Sequence, residues 1–585
     1  MKKIILFVIS AILALPQAAF PQSKEEVVTL DKCKFTAVKG ETAQFDYFKY
    51  KGKDKRFDKP IDPNNQYFNP ILAGFYPDPS ICRKGDTYYL ANSSFSFYPG
   101  VPIFTSKDLI NWTQIGHVLD RPSQLNITNQ DVSEGIFAPA INYNRYNDTF
   151  YMITTDVYGI ENFFVKTKDP AQGWSDPVRL PEIEGIDPSF FFDEDGKGYI
   201  VHNAVPEGSE DWENQRAIRM YEFDVATEKV IGKGKEIIRG GTRPENKPIW
   251  IEGPHLYKIN GYYYLMCAEG GTDTNHSEVI FRSKTPWGSY EAYANNPILT
   301  QRDLPENRQE KITCTGHADL IETPEGEWYA FFLACRPYEG NLLNTGRETF
   351  LLPVEWRDGF PVILPQGKSI PAIGEKKRLT PTGNPTSGNF EYNNEFNEPT
   401  LDYSWMFLRT PQKSFYTIEN GKLAITPLPL SIEEKCSPSV IFHRQQHAHF
   451  EVETRLEFSP ESAADFAGFT LFQREKFNFI FGKTSINGVA TLIVDRNENG
   501  KTQLAAISIE DKKHLPVVLK VVGKGRYYDF LYRFEGEEWQ TLVTDADAAN
   551  LSTQRAGGFV GAFIGLYATS ALVSAMPPSE ERNDL

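Results

Sequence analysis

Five times between residues 84 and 332 the chain passes from a polar turn straight into an aromatic strand-like segment: "KGDTYYL", "RYNDTFYMI", "DEDGKGYIV", "KINGYYYLM" and "PEGEWYAFF". Gly and Asp supply the turns, and the aromatic and β-branched runs after them favour short buried strands over amphipathic helices. With Tyr89, Tyr151, Tyr199, Tyr264 and Tyr329 as markers, eleven or twelve residues back lie Asp78, Pro139, Asp187, Glu252 and His317, spaced 61, 48, 65 and 65 residues apart. Trp112, Trp174 and Trp287 each follow their tyrosine by 23 residues. A period of about 50 to 65 residues has room for four short strands and their turns, one blade of a propeller. The repeat predicts an all-β fold with a five-bladed β-propeller over residues 69–365. A β-sandwich with fortuitous spacing is the alternative, and the shared offset of the opening residues argues against it.

With 585 residues the chain exceeds what one hydrophobic core holds. After residue 365 a segment rich in Pro, Gly and charge, 366–389, reads as a linker. Alternating segments such as "HFEVETRLEF", "FAGFTLFQ" and "YDFLYRF" predict a second domain, a β-sandwich over 390–585. Residues 23–68 are polar and read as an N-terminal extension that wraps the propeller or stays partly unstructured. The start, "MKKIILFVISAILALPQAAF", has the pattern of a secretory signal peptide, which sets 1–22 apart and predicts export to a periplasm or the medium. Six scattered cysteines form no CxxC pair; one isolated bridge is compatible with them, and the sequence assigns none. A formal charge of −16 without a basic block argues against nucleic acid as a partner. No later stretch reaches roughly 18 uninterrupted apolar residues, so no membrane span is expected.

If the opening residues stand at the start of each blade's innermost strand, they converge on the ring axis. Asp78, Asp187 and Glu252 would then share one shielded space, where at least one carboxyl keeps its proton near neutrality. Capping of strand ends is the bland reading of these acids, but an unpaired cluster of buried carboxylates is costly as packing filler. Carboxyl groups that differ in protonation are what glycoside hydrolysis uses, without a required cofactor. No GxSxG elbow, HExxH pair, Walker loop or dinucleotide fingerprint stands in a supporting context, and "FFDEDGKGY" reads as a hairpin turn rather than a calcium loop.

The segments "NPILAGFYPDPSI", "EGIDPSFFFDEDGKGYIV", "IEGPHLYKINGYYYLMCAEGGT", "GHADLIETPEGEWYAFFL" and "GRETFLLPVEWRDGFPVI", in this order, resemble glycoside hydrolase family 43, the five-bladed-propeller β-xylosidases and α-L-arabinofuranosidases. "RAGGFVGAFIG" resembles the concanavalin-like sandwich that follows the propeller in such enzymes. The resemblance implies an inverting mechanism with Asp78 as general base, Glu252 as general acid and Asp187 orienting Glu252 and holding its pKa high. Base and acid would stand about 6.5–9.5 Å apart to admit a water. It further implies a sugar-binding Arg347, His317 near the axis where some members hold a water-bridged calcium, and a pocket phenylalanine, here Phe559. Where close β-xylosidase relatives tend to carry tryptophan this chain has Phe97 and Phe137, which implies two smaller sugar-facing walls.

These readings converge on an exported, inverting exo-glycosidase that releases terminal α-L-arabinofuranosyl residues from a plant hemicellulose oligosaccharide. A β-xylosidase or dual enzyme is the nearest alternative. A carbohydrate-binding propeller without catalysis and a structural surface protein are the alternatives of other classes.

Overall fold

The computed structural model describes Cys33 and residues 41–573 apart from 384, so the leader expected at 1–22 lies outside the described residues. Five antiparallel sheets follow one another in chain order. Blade 1 comprises Ser80–Lys84, Thr87–Ala91, Gly100–Ser106 and Thr113–Leu119, and blade 2 comprises Gly135–Asn144, Thr149–Val157, Glu161–Thr167 and Val178–Arg179. Blade 3 runs from Ile186–Phe192 through Gly198–Ala204 and Ala217–Asp224 to Lys229–Arg239. Blade 4 opens with Glu252–Ile259, Tyr262–Glu269 and Ser277–Ser283, while blade 5 has three strands, Thr313–Glu322, Trp328–Cys335 and Glu348–Pro353. The aromatic repeat has a packing cause: Tyr151 meets Phe190 of blade 3 at 5.6 Å, Tyr199 meets Trp287 of blade 4 at 5.9 Å, and Trp112 of blade 1 meets Phe331 of blade 5 at 5.8 Å. Each blade buries its rings against the next.

One backbone event recurs at the axis. Asp78, Ala138, Asp187, Gly253 and His317 have φ of 51°, 33°, 55°, 55° and 52°, and the pairing register slips beside the last four of them. In those four it is a bulge, and in all five one residue is forced into the left-handed region near the head of the inner strand. Proline follows the first four, and a residue without an N–H leaves no donor unpaired there. In blade 5 Ala318 takes that place, and its N–H donates to the buried Glu278 carboxylate at 3.0 Å. The true equivalents are therefore Ala138, not Pro139, and Gly253, with Glu252 one residue ahead of the bulge.

The ring closes without an interleaved long strand. Ser80 Oγ and the Ile81 N–H of blade 1 donate to Asp319 Oδ2 of blade 5 at 2.8 and 2.9 Å. Asn69 adds a side-chain clasp on Leu351, donating to its carbonyl and accepting from its N–H.

The second domain is a sandwich of an eight-stranded and a six-stranded sheet around a core that includes Phe45, Phe48, Val452, Phe469, Phe481 and Phe530. Its larger sheet contains Ala43–Gly52, from the segment read as an N-terminal extension that wraps the propeller or stays partly unstructured. That strand pairs with His449–Glu457, some 400 residues away in sequence, because its alternating Phe45, Phe48 and Tyr50 need a core that the neighbouring sequence does not supply. Cys33 and Cys436 form a disulfide that ties the same N-terminal region to this domain. Within the linker, Ile373–Glu375 pairs with Gln66–Phe68.

A buried ion network joins the two domains. Arg336, 6% exposed, donates to Glu348 at 2.6 and 2.7 Å and to Asp54 at 2.9 Å, and Glu348 also receives the Gly74 N–H at 2.6 Å. Arg336→Met strands two carboxylates in the interior and should lower the unfolding free energy by about 3–5 kcal/mol. Guanidinium unfolding checks this; a loss below about 1 kcal/mol, the range of exposed pairs, would contradict it.

Candidate active site

Asp78 is 5% exposed. Its Oδ1 accepts from Arg347 Nη1 at 2.8 Å and its Oδ2 from Ser93 Oγ at 2.6 Å, while Ser93 Oγ accepts the Ala138 N–H at 2.7 Å. The base candidate is thus fixed from blades 1, 2 and 5 at once. Arg347 also donates to Thr272 Oγ1 at 3.3 Å, and its guanidinium lies 5.4 Å from the Phe95 ring and 5.7 Å from that of Phe559. Aromatic faces on two sides restrict this cation to the geometry that holds Asp78.

Asp187 Oδ2 accepts the Gly253 N–H at 3.1 Å, which fixes the backbone immediately after Glu252. Residue 253 has to be glycine because a Cβ there would come within 2.7 Å of His317 Nε2. Burial raises the Asp187 pKa to about 7, with the Asp78 charge adding to it and the Gly253 N–H and Arg347 opposing. Burial likewise pushes Glu252 well above the usual carboxyl range, reinforced by Asp187 and then Asp78 and opposed by Arg347 and Arg216. Glu252 is thus held toward its protonated form while Asp78 sits in an ion pair. A carboxyl held toward its protonated form and a carboxylate within its electrostatic reach are the pair that can donate a proton to a leaving oxygen and take one from water.

His317 is pushed down to about 4, chiefly by burial, so it is neutral where the acids act. Its Nδ1 is 3.7 Å from Asp78 Oδ1, beyond hydrogen-bond reach, and its ring rests against Gly253. With Asp78, Asp187, Gly253 and His255 it lines an axial cavity of about 10 Å³, room for roughly one water. No cluster of three or more His, Cys, Asp or Glu among the described residues is arranged to hold a metal, and no step below runs through one.

The aromatic wall departs in part from expectation. Phe137, 9% exposed, stands at the site, 4.8 Å from Phe95 and 5.9 Å from Phe559. Phe559 reaches it from the second domain, its N–H donating to Ser133 Oγ at 3.0 Å. Phe97 does not: it is fully buried, packs on Phe563 at 4.1 Å and belongs to the core between the domains. A turn closed by the Phe97 N–H on the Ser94 carbonyl, 3.0 Å, leaves Phe95 and Phe97 in one core on either side of Phe75, and Phe95 is the one beside Arg347. Sequence reasoning also missed Ser93 and Thr272, which lie in the loops after the second strands of blades 1 and 4 and carry no spacing signal.

A propeller axis with one protonated and one ion-paired carboxyl, walled by aromatic rings, defines a glycosidase. The chain belongs to glycoside hydrolase family 43: residues 67–361 match the model of glycosyl hydrolases family 43, and 393–576 match the β-xylosidase C-terminal concanavalin A-like domain. It is 38% identical to a xylosidase/arabinosidase of Butyrivibrio fibrisolvens, covering 86% of this chain and 95% of that protein. It is 34% identical to a non-reducing-end α-L-arabinofuranosidase of Bacteroides ovatus, covering 86% and 91%. A solved GH43_12 structure retrieved from capybara gut metagenome superposes with a TM-score of 0.85 at 44% identity, covering 91% of this chain and all of that one.

Asp187→Asn removes a charge but keeps an acceptor for Gly253. With the like charge gone, the Glu252 pKa falls and the alkaline limb of kcat/KM should move to lower pH. Stability should move the other way. The folded protein keeps the Asp187 proton up to about 7 while the unfolded chain loses it near 3.8, so this group's contribution declines as pH rises through that window. The variant should therefore melt above wild type at about pH 8 and with it at about pH 4. An unmoved alkaline limb together with equal Tm values at both pH values would contradict the assignment.

Proposed function

We propose that the protein is an inverting exo-glycosidase that removes terminal α-L-arabinofuranosyl residues from plant hemicellulose side chains, such as those of arabinoxylan, xyloglucan or arabinan. Asp78 deprotonates the attacking water, Glu252 protonates the leaving oxygen, and Asp187 holds the backbone and proton of Glu252. Arg347 orients Asp78 and presents the cationic edge of the pocket to sugar hydroxyls. Phe559 closes one side of the pocket from the second domain, and a blind pocket suits cleavage of one terminal residue over cleavage within a chain.

The observation that carries the choice of sugar is Phe137. Where xylosidases resembling this chain tend to place an indole, a smaller phenyl ring packs back on Phe95 and Phe559, which leaves a wall shaped for a compact furanose. The printed name of the B. ovatus relative supports this reading. The B. fibrisolvens relative, named for both sugars, supports a second one, a dual arabinofuranosidase and β-xylosidase. Export is part of the proposal, supported by the leader-like start and by a Cys33–Cys436 bond of the kind that persists in oxidising compartments.

Comparison of nitrophenyl α-L-arabinofuranoside with nitrophenyl β-D-xyloside should give the higher kcat/KM for the arabinoside, and proton NMR of the first-formed sugar should show the anomeric configuration inverted. A dominant xyloside activity would overturn the choice of sugar, and a retained configuration would overturn the roles of Asp78 and Glu252.

A further inference from the structure

Residues 205–216 join the second and third strands of blade 3 at the same end of the ring as Asp187, because Asn203 pairs with Ile186 across the sheet. The last of them, Arg216, is 3% exposed, a rare state for an arginine. Its guanidinium lies 4.1 Å over the ring of Trp250, two residues before Glu252. The Trp250 N–H donates to the Asn214 carbonyl at 3.1 Å, so this segment and the head of the acid's strand move as one piece. Nη1 is committed, donating to Glu210 at 2.6 Å and to the Gln215 carbonyl at 2.7 Å. Nε and Nη2 donate to no other described group, although a guanidinium offers five N–H bonds.

We propose that Arg216, stacked on Trp250, is the donor of a leaving-group subsite, where its uncommitted N–H groups hydrogen-bond hydroxyls of the sugar from which the terminal pentose is cut. The assignment rests on the pentosidase reading above. The general acid has to touch the glycosidic oxygen, so the leaving sugar lies against Glu252 and away from the base. Arg347 and Arg216 both act on Glu252, but Arg347 is committed to Asp78, which leaves Arg216, two residues' reach from the acid through Trp250, for the leaving sugar. Glu210 already balances the guanidinium, which suits the remaining donors to neutral hydroxyls better than to a second carboxylate. A stacked, ion-paired arginine is also preorganised, so little side-chain entropy is lost when the sugar binds.

Three glycosides of the same pentose separate this role from an effect on the acid. A nitrophenyl leaving group needs little protonation and has no hydroxyl, a methyl leaving group needs the acid but has no hydroxyl, and a xylose leaving group needs the acid and has hydroxyls. In Arg216→Met, kcat/KM for the disaccharide should fall about ten- to a hundredfold further than for the methyl glycoside, the cost of losing a hydrogen bond to a charged group. If the disaccharide and methyl glycoside fall together, Arg216 acts through Glu252 or through the fold, and the subsite is overturned; an unchanged ratio without any loss overturns it too. Should the methionine variant fail to fold, Arg216→Lys, which keeps the charge over Trp250 but not the fork, makes the same comparison. A wild-type enzyme inactive on all three would overturn the pentosidase reading, and the subsite with it.

Discussion

The left-handed residue at the head of each inner strand is the constraint on which the rest depends. Five times the backbone adopts a φ that side chains with a Cβ disfavour, at Asp78, Ala138, Asp187, Gly253 and His317. Such strain persists only where the surroundings over-determine it. Here they do: proline or a dedicated carboxylate resolves the orphaned N–H, and each bulge meets its neighbours around a cavity scarcely larger than a water. The bulge turns the side chain at or beside it toward the axis. Without it Asp78, Asp187 and Glu252 would follow the ordinary alternation of their strands.

Crowding then does the chemistry. Carboxyl groups crowded in a desolvated ring hold one another's protons, and Arg347 pairs with Asp78 directly. The proton stays with Glu252 and, up to about neutrality, with Asp187. Placing acids there costs stability, and the buried network of Arg336, Glu348 and Asp54 sits immediately behind, Glu348 being the next residue after Arg347. Catalytic strain at the axis and ionic packing at the domain boundary are adjacent in the chain, so the second domain helps to hold the first domain's arginine as well as supplying Phe559.

Much of this was legible because its signals are local. Asp between prolines, turn then aromatic strand, and tyrosines at a fixed offset read directly as blades and their heads. The offset erred by one residue at 138 and 253 because a bulge inserts a residue that strand periodicity does not count. Phe97 read as a pocket wall because the sequence does not show the turn at Ser94 that sends it into the domain boundary and leaves Phe95 in its place. Ala43–Gly52 and the Cys33–Cys436 bond depend on partners some 400 residues away, and no local pattern encodes the partner of a strand or a thiol. Arg216 carried no signal either: a lone arginine after a polar loop reads as solvated surface until Trp250 is seen beneath it.

The central claim is that the axis holds a carboxyl group protonated at neutral pH and that this group is Glu252. Infrared difference spectroscopy of wild type against Glu252→Gln reads it directly through the C=O stretch of a protonated carboxyl. The account predicts such a band in the wild-type-minus-variant difference at about pH 8, above the Asp187 pKa of about 7, absent from the variant and titrating only at higher pH. Absence of the band at that pH, or its survival unchanged in the variant, would contradict it.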